Sequence, residues 1–307
     1  MYKQYDNHTK GVIALVLLTL VFASMGVFAR YLSAHLGLFQ QVYSRLFLAF
    51  LFSVAAFWKY IRWQKIISIP LREWGVLFIR STFQHLLGVV LVTAAVLHTK
   101  LGIVSLIQTL PLVSILAVAF LKEHLTTAKI WLILLASLGV FVITIHGHSD
   151  IGGFNAGDVY AILAAIAFSF GYISRHWHKA GLNNQEITAA MFFISTLTIF
   201  IVSLVAGEGL PSLGDYSHKA IILALIGSGV FNVLNLFLSN YGFEHVKAVL
   251  AGNILTLEAV FGILLGYLLY QESVTVPEAI GGVLIIASVI LMNTMTAEEN
   301  IAPEAET

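Results

Sequence analysis

The chain has 307 residues, of which 59% are hydrophobic and 10% are charged, and its mean hydropathy is +0.90. Soluble domains average about 25% charged residues, so this composition excludes an ordinary water-soluble enzyme and indicates an integral membrane protein. Basic and acidic residues cancel at 16 each, and no basic run alternates with aromatic residues, so nucleic acid is not an expected partner. The absence of cysteine excludes disulfides, thiolate metal ligands and cysteine nucleophiles.

Ten apolar stretches are each long enough to cross a bilayer as a helix, which requires about 20 residues. Each remains apolar throughout, whereas a strand of a membrane barrel would alternate over about 10 residues. The sequence therefore predicts an all-α polytopic membrane protein with ten transmembrane helices. These predicted spans are approximately 11–29, 40–58, 75–97, 101–121, 128–146, 156–176, 187–205, 219–242, 246–269 and 277–295.

The distribution of lysine and arginine over the short loops predicts the orientation, because these residues favour the cytoplasmic side. If the amino terminus is cytoplasmic, the opposite side holds only Arg30, Lys100 and Lys219. The cytoplasmic side then holds Lys3, Lys10, Lys59, Arg62, Lys65, Arg72, Lys122, Lys129, Arg175, Lys179 and Lys247. We therefore expect both termini to be cytoplasmic.

Two segments are echoed later in the chain in the same order and with the same spacing. Ser24–Arg30 is echoed by Ser169–Arg175, and Leu101–Thr126 is echoed by Leu250–Thr275. Five spans per half is an odd number, so the second half enters the membrane inverted, as in many secondary transporters. The predicted organisation is a cytoplasmic segment 1–10, a first five-helix repeat 11–146, a linker 147–155, a second repeat 156–295 and an acidic cytoplasmic tail 296–307.

A set of short motifs carries a family resemblance. It comprises Ser24-x-Gly26, Tyr43–Phe47, Gln108–Leu112, Glu123, Leu257–Phe261, Gly266, Gln271-Glu272 and Gly281-Gly282. This pattern resembles the EamA-domain branch of the drug/metabolite transporter superfamily. Two departures are Ala259, where the family usually has a proline after the glutamate, and the lack of a second-half counterpart to Arg45.

The resemblance implies two EamA-like repeats that move small metabolites, often amino acids or related compounds, outward across a bacterial inner membrane. It also implies that Glu123 and Glu272, at the ends of the fourth and ninth spans, hold the adjoining loop and cap the next helix. We treat both as structural residues.

Four ionisable residues stand out because they lie more than one turn inside the predicted spans. An ionisable group at the bilayer centre costs at least about 2.5–3.5 kcal/mol, so each should face a cavity or a partner. Glu258 could bind a substrate amine, carry a coupling proton or form a structural hydrogen bond. His85 could relay protons or join helices. The side chains of Arg45 and Arg80 could extend to the lipid headgroups. Arg45 could instead gate the outer side or pair with a carboxylate, and Arg80 shares a helix face with Gln84, four residues later.

Uncharged polar residues form stripes on several predicted helices. Ser228, Asn232, Asn235 and Ser239 share one face of the eighth span by their spacing. Pro111, within the fourth span, predicts a kink that shapes the cavity. The predicted substrate-binding residues are Glu258, His85, Asn232, Asn235, Gln108, Asn253, Tyr172 and Gln84, and the predicted gating or structural residues are Arg45, Arg80, Pro111, Glu123 and Glu272.

Two further patterns concern helix packing and metal binding. Gly262-x-x-x-Gly266 favours close helix packing. His146 and His148, near Asp150, do not by themselves set a coordination geometry, so no metal site is predicted there.

Enzyme classes lack their signatures in this sequence. There is no aspartate pair for a diphosphate, no HExxH, no GxSxG and no phosphate-binding loop, so we expect no catalytic residue and no cofactor. The function predicted is secondary transport, in the direction of export, of a small polar or zwitterionic metabolite such as an amino acid. The expected partners are that solute and the lipid bilayer. The energy source is either the gradient of the solute or a proton gradient, and in the second case a proton is a further partner. An uncoupled facilitator and an intramembrane enzyme are the alternatives.

Overall fold

The computed structural model describes residues 2–99, 101–146, 155–212, 219–271 and 273–301. All regular structure within these ranges is helical. In this part of the chain nine helices are long and apolar enough to span a membrane, and the tenth apolar helix, Thr127–Ile143, is shorter. The spanning helices are Asn7–Ser33, Leu38–Phe57, Leu71–His98, Ile103–Leu121, Ala156–Trp177, Asn184–Val205, Lys219–His245, Ala248–Leu265 and Val276–Thr296.

The α-helical elements number fourteen, because several spans are interrupted. They are α1 (Tyr2–Ser33), α2 (Leu38–Phe57), α3 (Trp63–Ser68), α4 (Leu71–Ser81), α5 (Val90–His98), α6 (Leu101–Gln108), α7 (Leu112–Leu116), α8 (Thr127–His146), α9 (Ala156–Ile173), α10 (Asn184–Val205), α11 (Lys219–His245), α12 (Ala248–Leu255), α13 (Leu257–Tyr270) and α14 (Val276–Ile301). A π-helical segment, Thr82–Val89, joins α4 to α5, and a second one, Ala117–Leu121, follows α7.

Two spans are broken near their middle. The fourth span is interrupted at Pro111, between α6 and α7, because proline has no N–H to donate and clashes with the preceding turn. The ninth span is interrupted at Thr256, so Glu258 lies in the first turn of α13. The partial positive charge of that helix end favours a carboxylate.

Helices from the two halves of the chain pack against each other throughout the bundle. The pairs are α1 with α11, α2 with α10 and α11, α5 with α9, and α8 with α14. At one crossing, a Cβ placed on Gly281 would lie 2.5 Å from the carbonyl oxygen of Gly139, so only glycine allows this approach. Nothing lies within 4 Å of a Cβ placed on Gly262, so the close packing predicted for Gly262-x-x-x-Gly266 is wrong at that glycine.

We call the membrane face at which α1 begins and α14 ends the terminal side, and the opposite face the far side. Because successive spans alternate in direction, α2 and α6 begin at the far side, whereas α4, α10 and α12 begin at the terminal side.

Candidate functional site

A cavity of about 140 Å³ lies between the two halves. An engineered apolar cavity of about 150 Å³ holds a benzene-sized molecule, so this space admits a small solute. Its polar lining residues are Arg45, Gln84, His85, Thr93, Ser105, Gln108, Ser169, Tyr172, Asn232, Asn235 and Glu258.

The cavity extends from mid-depth toward the far side. Ala29, Val96 and Val104 line it. Each lies within about one turn of the far-side end of its helix, at a rise of about 1.5 Å per residue. Toward the terminal side, the cavity is bounded by the buried rings of Phe168 and Tyr172.

The structure brings together all the predicted substrate-binding residues except Asn253. Asn253 is buried and donates from Nδ2 to the Oγ atom of Ser288 at 3.1 Å, and so joins α12 to α14. The structure therefore does not support the predicted contact of Asn253 with a solute, because its side-chain amide bonds Ser288 and does not line the cavity.

Glu258 is half-buried and lines the cavity without a hydrogen bond or ion pair to any residue in the described part of the chain. A structural hydrogen bond to a neighbouring helix, one of the alternatives raised by the sequence, is thus not formed. A carboxyl group in this position is available to a solute or a proton.

His85 is held on one side only. Its Nδ1 atom lies 2.8 Å from the Oγ atom of Ser195, and its ring contacts Phe192 on the same helix, α10. Its Nε2 atom makes no hydrogen bond with the described residues, and the side chain lines the cavity. His85 therefore both joins two helices and faces the candidate site.

The side-chain amides that line the cavity differ in how many of their hydrogen bonds are made within the protein. Asn232 donates to the carbonyl of Ser228 at 2.7 Å, and Gln108 donates to the carbonyl of Ala161 at 3.1 Å. Asn235 makes no hydrogen bond with the described residues, and the Oε1 atom of Gln84 is buried without a partner. The cavity thus holds unused donors and acceptors.

Aromatic rings close the terminal end of the cavity. The Tyr172 ring lies parallel to that of Phe243, with 4.8 Å between centroids, and is nearly parallel to Phe168 at 6.1 Å. Tyr172 is therefore packed within the protein as the floor of the cavity, and stacking of its ring on a solute is limited by these neighbours.

Arg45 and Arg80 are 2% and 1% exposed, so the predicted extension of their side chains to the headgroups is wrong. Both side chains turn into the bundle. Arg45 lines the cavity, whereas Arg80 is not among its lining residues and lies toward the terminal side.

Sequence reasoning missed a cluster that we call the Arg80 network, formed by Glu73, Arg80, His178 and Asn240. Arg80 Nη2 donates to Asn240 Oδ1 at 2.8 Å, and Arg80 Nη1 lies 3.1 Å from His178 Nε2. His178 Nδ1 lies 2.9 Å from Glu73 Oε2. Burial and the charge of Arg80 lower the pKa of His178 to about 3, so this imidazole is neutral at physiological pH. Glu73 and His178 lie near the ends of their spans. Ionisable residues are common at span ends, so the sequence did not indicate that these two are buried.

Glu123 caps a helix, although a different one from the helix predicted. Its carboxylate accepts the backbone N–H groups of Ala248 and Val249 at 2.8 and 3.0 Å, at the start of α12 in the other half. The prediction that it caps the next helix is corrected, because α12 rather than α8 presents free N–H groups to it. Glu272, His148 and the His146 side chain lie outside the described residues. Among the described residues, no group of three metal-ligating side chains is found.

Comparison with known proteins identifies a family. The sequence model of the EamA-like transporter family matches this chain twice, at residues 9–145 and 155–294. A protein crystal structure is similar with a TM-score of 0.74 and 17% sequence identity, over 96% of this chain and 98% of that chain. This likeness concerns the fold alone. No curated protein matches the chain.

Proposed function

Because this chain belongs to the EamA-like transporter family, we propose that it is a secondary transporter of a small polar or zwitterionic metabolite, in particular an amino acid or a related compound. The observation that carries the proposal is Glu258, a carboxylate without a partner among the described residues, facing a cavity of solute size between the two halves. An ionisable group inside a membrane is costly, and such groups typically mark a substrate or ion pathway.

In the proposed site, Glu258 meets the positive end of the solute or carries a coupling proton. Asn235 and the Oε1 atom of Gln84, which lack partners among the described residues, complete the hydrogen bonding of the bound solute. Asn232 and Gln108 line the same space, and His85 lies beside it. Such groups replace water around a solute that leaves the aqueous phase.

The proposed mechanism is alternating access between two inverted repeats, residues 11–146 and 156–295. In the present conformation the cavity extends toward the far side, and Tyr172 with Phe243 closes it toward the terminal side. The Arg80 network lies beneath this closure. Rocking of the repeats would separate these contacts and close the far side.

In this proposal the membrane is a bacterial inner membrane, as the family resemblance implies, and both termini are cytoplasmic, as the distribution of lysine and arginine favours. The far side is then outside and the cavity faces outward. The direction proposed is export, driven by the gradient of the solute or by a proton gradient.

The test is a transport screen with purified protein in liposomes. Labelled L-phenylalanine, L-leucine, L-threonine and L-glutamate are each offered with and without a pH difference. We expect net flux of at least one of them without chemical change. Glu258→Gln should abolish the pH dependence of that flux. Glu278→Gln, the same change at a carboxylate that lies outside the cavity and bonds Thr275 at the start of α14, should preserve it.

The alternatives predict different results in the same assay. An uncoupled facilitator would equilibrate the solute and show no response to the pH difference in either variant. An intramembrane enzyme would form a product without net flux. The absence of flux for every amino acid would overturn the proposed substrate class.

A further inference from the structure

Arg45 is a buried cation whose hydrogen-bonding capacity is almost unused. Its side chain lines the cavity and is 2% exposed. A guanidinium has five N–H donors. In the described part of the chain only Nη2 has a partner, the Oγ1 atom of Thr93 at 3.2 Å, and Nε is buried without one. A buried polar group without hydrogen bonds costs free energy. The unpaired N–H donors of Arg45 are therefore available to a ligand that enters the cavity.

The other two buried arginines of the bundle, Arg80 and Arg175, each have several hydrogen-bond or ion-pair partners. Arg80 contacts the Gly171 carbonyl, His178 and Asn240. Arg175 donates twice to Asn184 and lies 2.9 Å from the Oε1 atom of Glu244. Neither of these two lines the cavity, whereas Arg45, the least satisfied of the three, does.

Glu186, Glu244 and Glu208, which lie on or directly after the helices packed against α2, are engaged with other partners. The helices packed on α2 are α1, α5, α10 and α11. Within the described residues of these helices, Glu186 and Glu244 lie at the terminal side, where they pair with Arg62 and Arg175. Glu208, on the far side, accepts the backbone N–H groups at the start of α2. Glu258 lines the same cavity but forms no ion pair with Arg45, so Arg45 faces the cavity without a protein carboxylate bound to it among the described residues.

We propose that Arg45 binds the carboxylate of the solute, while Glu258 binds its ammonium group. This inference rests on the proposed function and narrows it to zwitterions that carry both charges, such as α-amino acids. A guanidinium matches a carboxylate in two parallel hydrogen bonds, which fixes orientation as well as charge. The carboxylate of the solute then lies toward the far side and its ammonium group toward mid-depth.

The apolar part of the lining favours a neutral side chain on that amino acid. Phe22, Val89, Val92 and Val104 line the cavity between the polar groups. A third charge on the solute would have to be buried among them at a large cost. L-Phenylalanine and L-leucine are therefore the first probes.

The experiment measures competition against labelled L-phenylalanine in liposomes. The competitors are L-phenylalanine, phenethylamine, which lacks the carboxylate, and 3-phenylpropionate, which lacks the amine. Wild-type protein should prefer L-phenylalanine over each analogue by at least about tenfold, because each analogue lacks one of the two charge-assisted contacts. In Arg45→Gln the preference over phenethylamine should fall at least about tenfold, and in Glu258→Gln the preference over 3-phenylpropionate should fall.

Two further variants serve as controls for this experiment. Arg30→Gln removes the same charge on the same side of the membrane, at an exposed residue that does not line the cavity, and should retain both preferences. Arg45→Lys keeps the charge without the planar fork and should lose part of the carboxylate preference. Should Arg45→Gln fail to elute as a folded protein, the stabilisation of Arg45→Lys by L-phenylalanine and by phenethylamine, measured as the shift in unfolding temperature, provides the same comparison.

The outcomes separate the two proposals. If wild-type protein transports L-phenylalanine or L-leucine and Arg45→Gln and Arg45→Lys both keep the full carboxylate preference, Arg45 does not bind the carboxylate, although transport stands. If wild-type protein neither transports nor is stabilised by any amino acid of the screen, the proposed function fails and this inference fails with it.

Discussion

Arg80 donates from Nη2 to the Oδ1 atom of Asn240 at 2.8 Å, and both side chains are almost completely buried. This contact joins the third span to the eighth, one from each half of the chain, on the terminal side of the cavity. Asn240 also donates to Thr188 of α10 at 3.1 Å. The contact therefore links the two halves of the chain on the side where Tyr172 and Phe243 bound the cavity.

The first prediction concerns this closure. Asn240→Leu removes the acceptor of Arg80 and should make the terminal-side barrier leakier. Because the native chain contains no cysteine, Ser105→Cys alone places one thiol in the cavity lining. A membrane-impermeant maleimide should label this thiol from the far side in the native background, and from both sides once Asn240→Leu is added. Equal labelling from the terminal side with and without Asn240→Leu would contradict this role.

The second prediction concerns pH and His178. Its pKa of about 3 in the folded protein lies below the 6.5 of a free histidine, because of burial and the charge of Arg80. Below about pH 6.5 the unfolded chain takes up a proton that the folded protein does not, so stability falls as the pH drops. We expect wild-type protein to lose stability relative to His178→Gln between about pH 6.5 and pH 5, by up to about 1.4 kcal/mol per pH unit. Thermal unfolding of both proteins in detergent over this range is the measurement, and parallel curves would refute the shift.

The third prediction concerns the cap of α12. Glu123→Ala leaves the N–H groups of Ala248 and Val249 without their acceptor and should cost about 0.5–2 kcal/mol of stability. The matched control is His124→Ala, at the exposed neighbouring residue, which should be close to neutral. Unfolding temperatures compared at one heating rate are the readout. A Glu123→Ala protein as stable as its control would show that water replaces the cap.

The fourth prediction compares two adjacent glycines of α14. A Cβ on Gly281 would lie 2.5 Å from the backbone of Gly139, whereas nothing lies within 4 Å of a Cβ on Gly282. Gly281→Ala should therefore force α8 and α14 apart and cost about 1–3 kcal/mol. Gly282→Ala should be neutral or gain up to about 1 kcal/mol from helix propensity. Both are measured by thermal unfolding, and equal effects at the two positions would overturn the assignment of this contact.

Much of the architecture followed from the chain itself, because hydropathy in a bilayer is a local property. A segment that is apolar over about 20 residues has no alternative to a helix when it crosses lipid. The family resemblance drawn from motifs such as Ser24-x-Gly26 was confirmed by the match to residues 9–145 and 155–294. The prediction of ten spans was met for nine helices of the described chain, with Thr127–Ile143 shorter than the rest.

The direction in which each polar side chain points was decided by the tertiary structure. Periodicity places Asn232 and Asn235 on one helix face, and both line the cavity. The same reasoning could not separate Asn253, which bonds to Ser288, from Glu258, which faces the open space. The pairing of Arg80 with Asn240 joins residues 160 positions apart, beyond the reach of any local pattern. Sequence alone determined which segments enter the membrane, because transfer into lipid depends on each segment by itself, whereas the packing of helices against one another decided which costly groups are satisfied and which remain open to a solute.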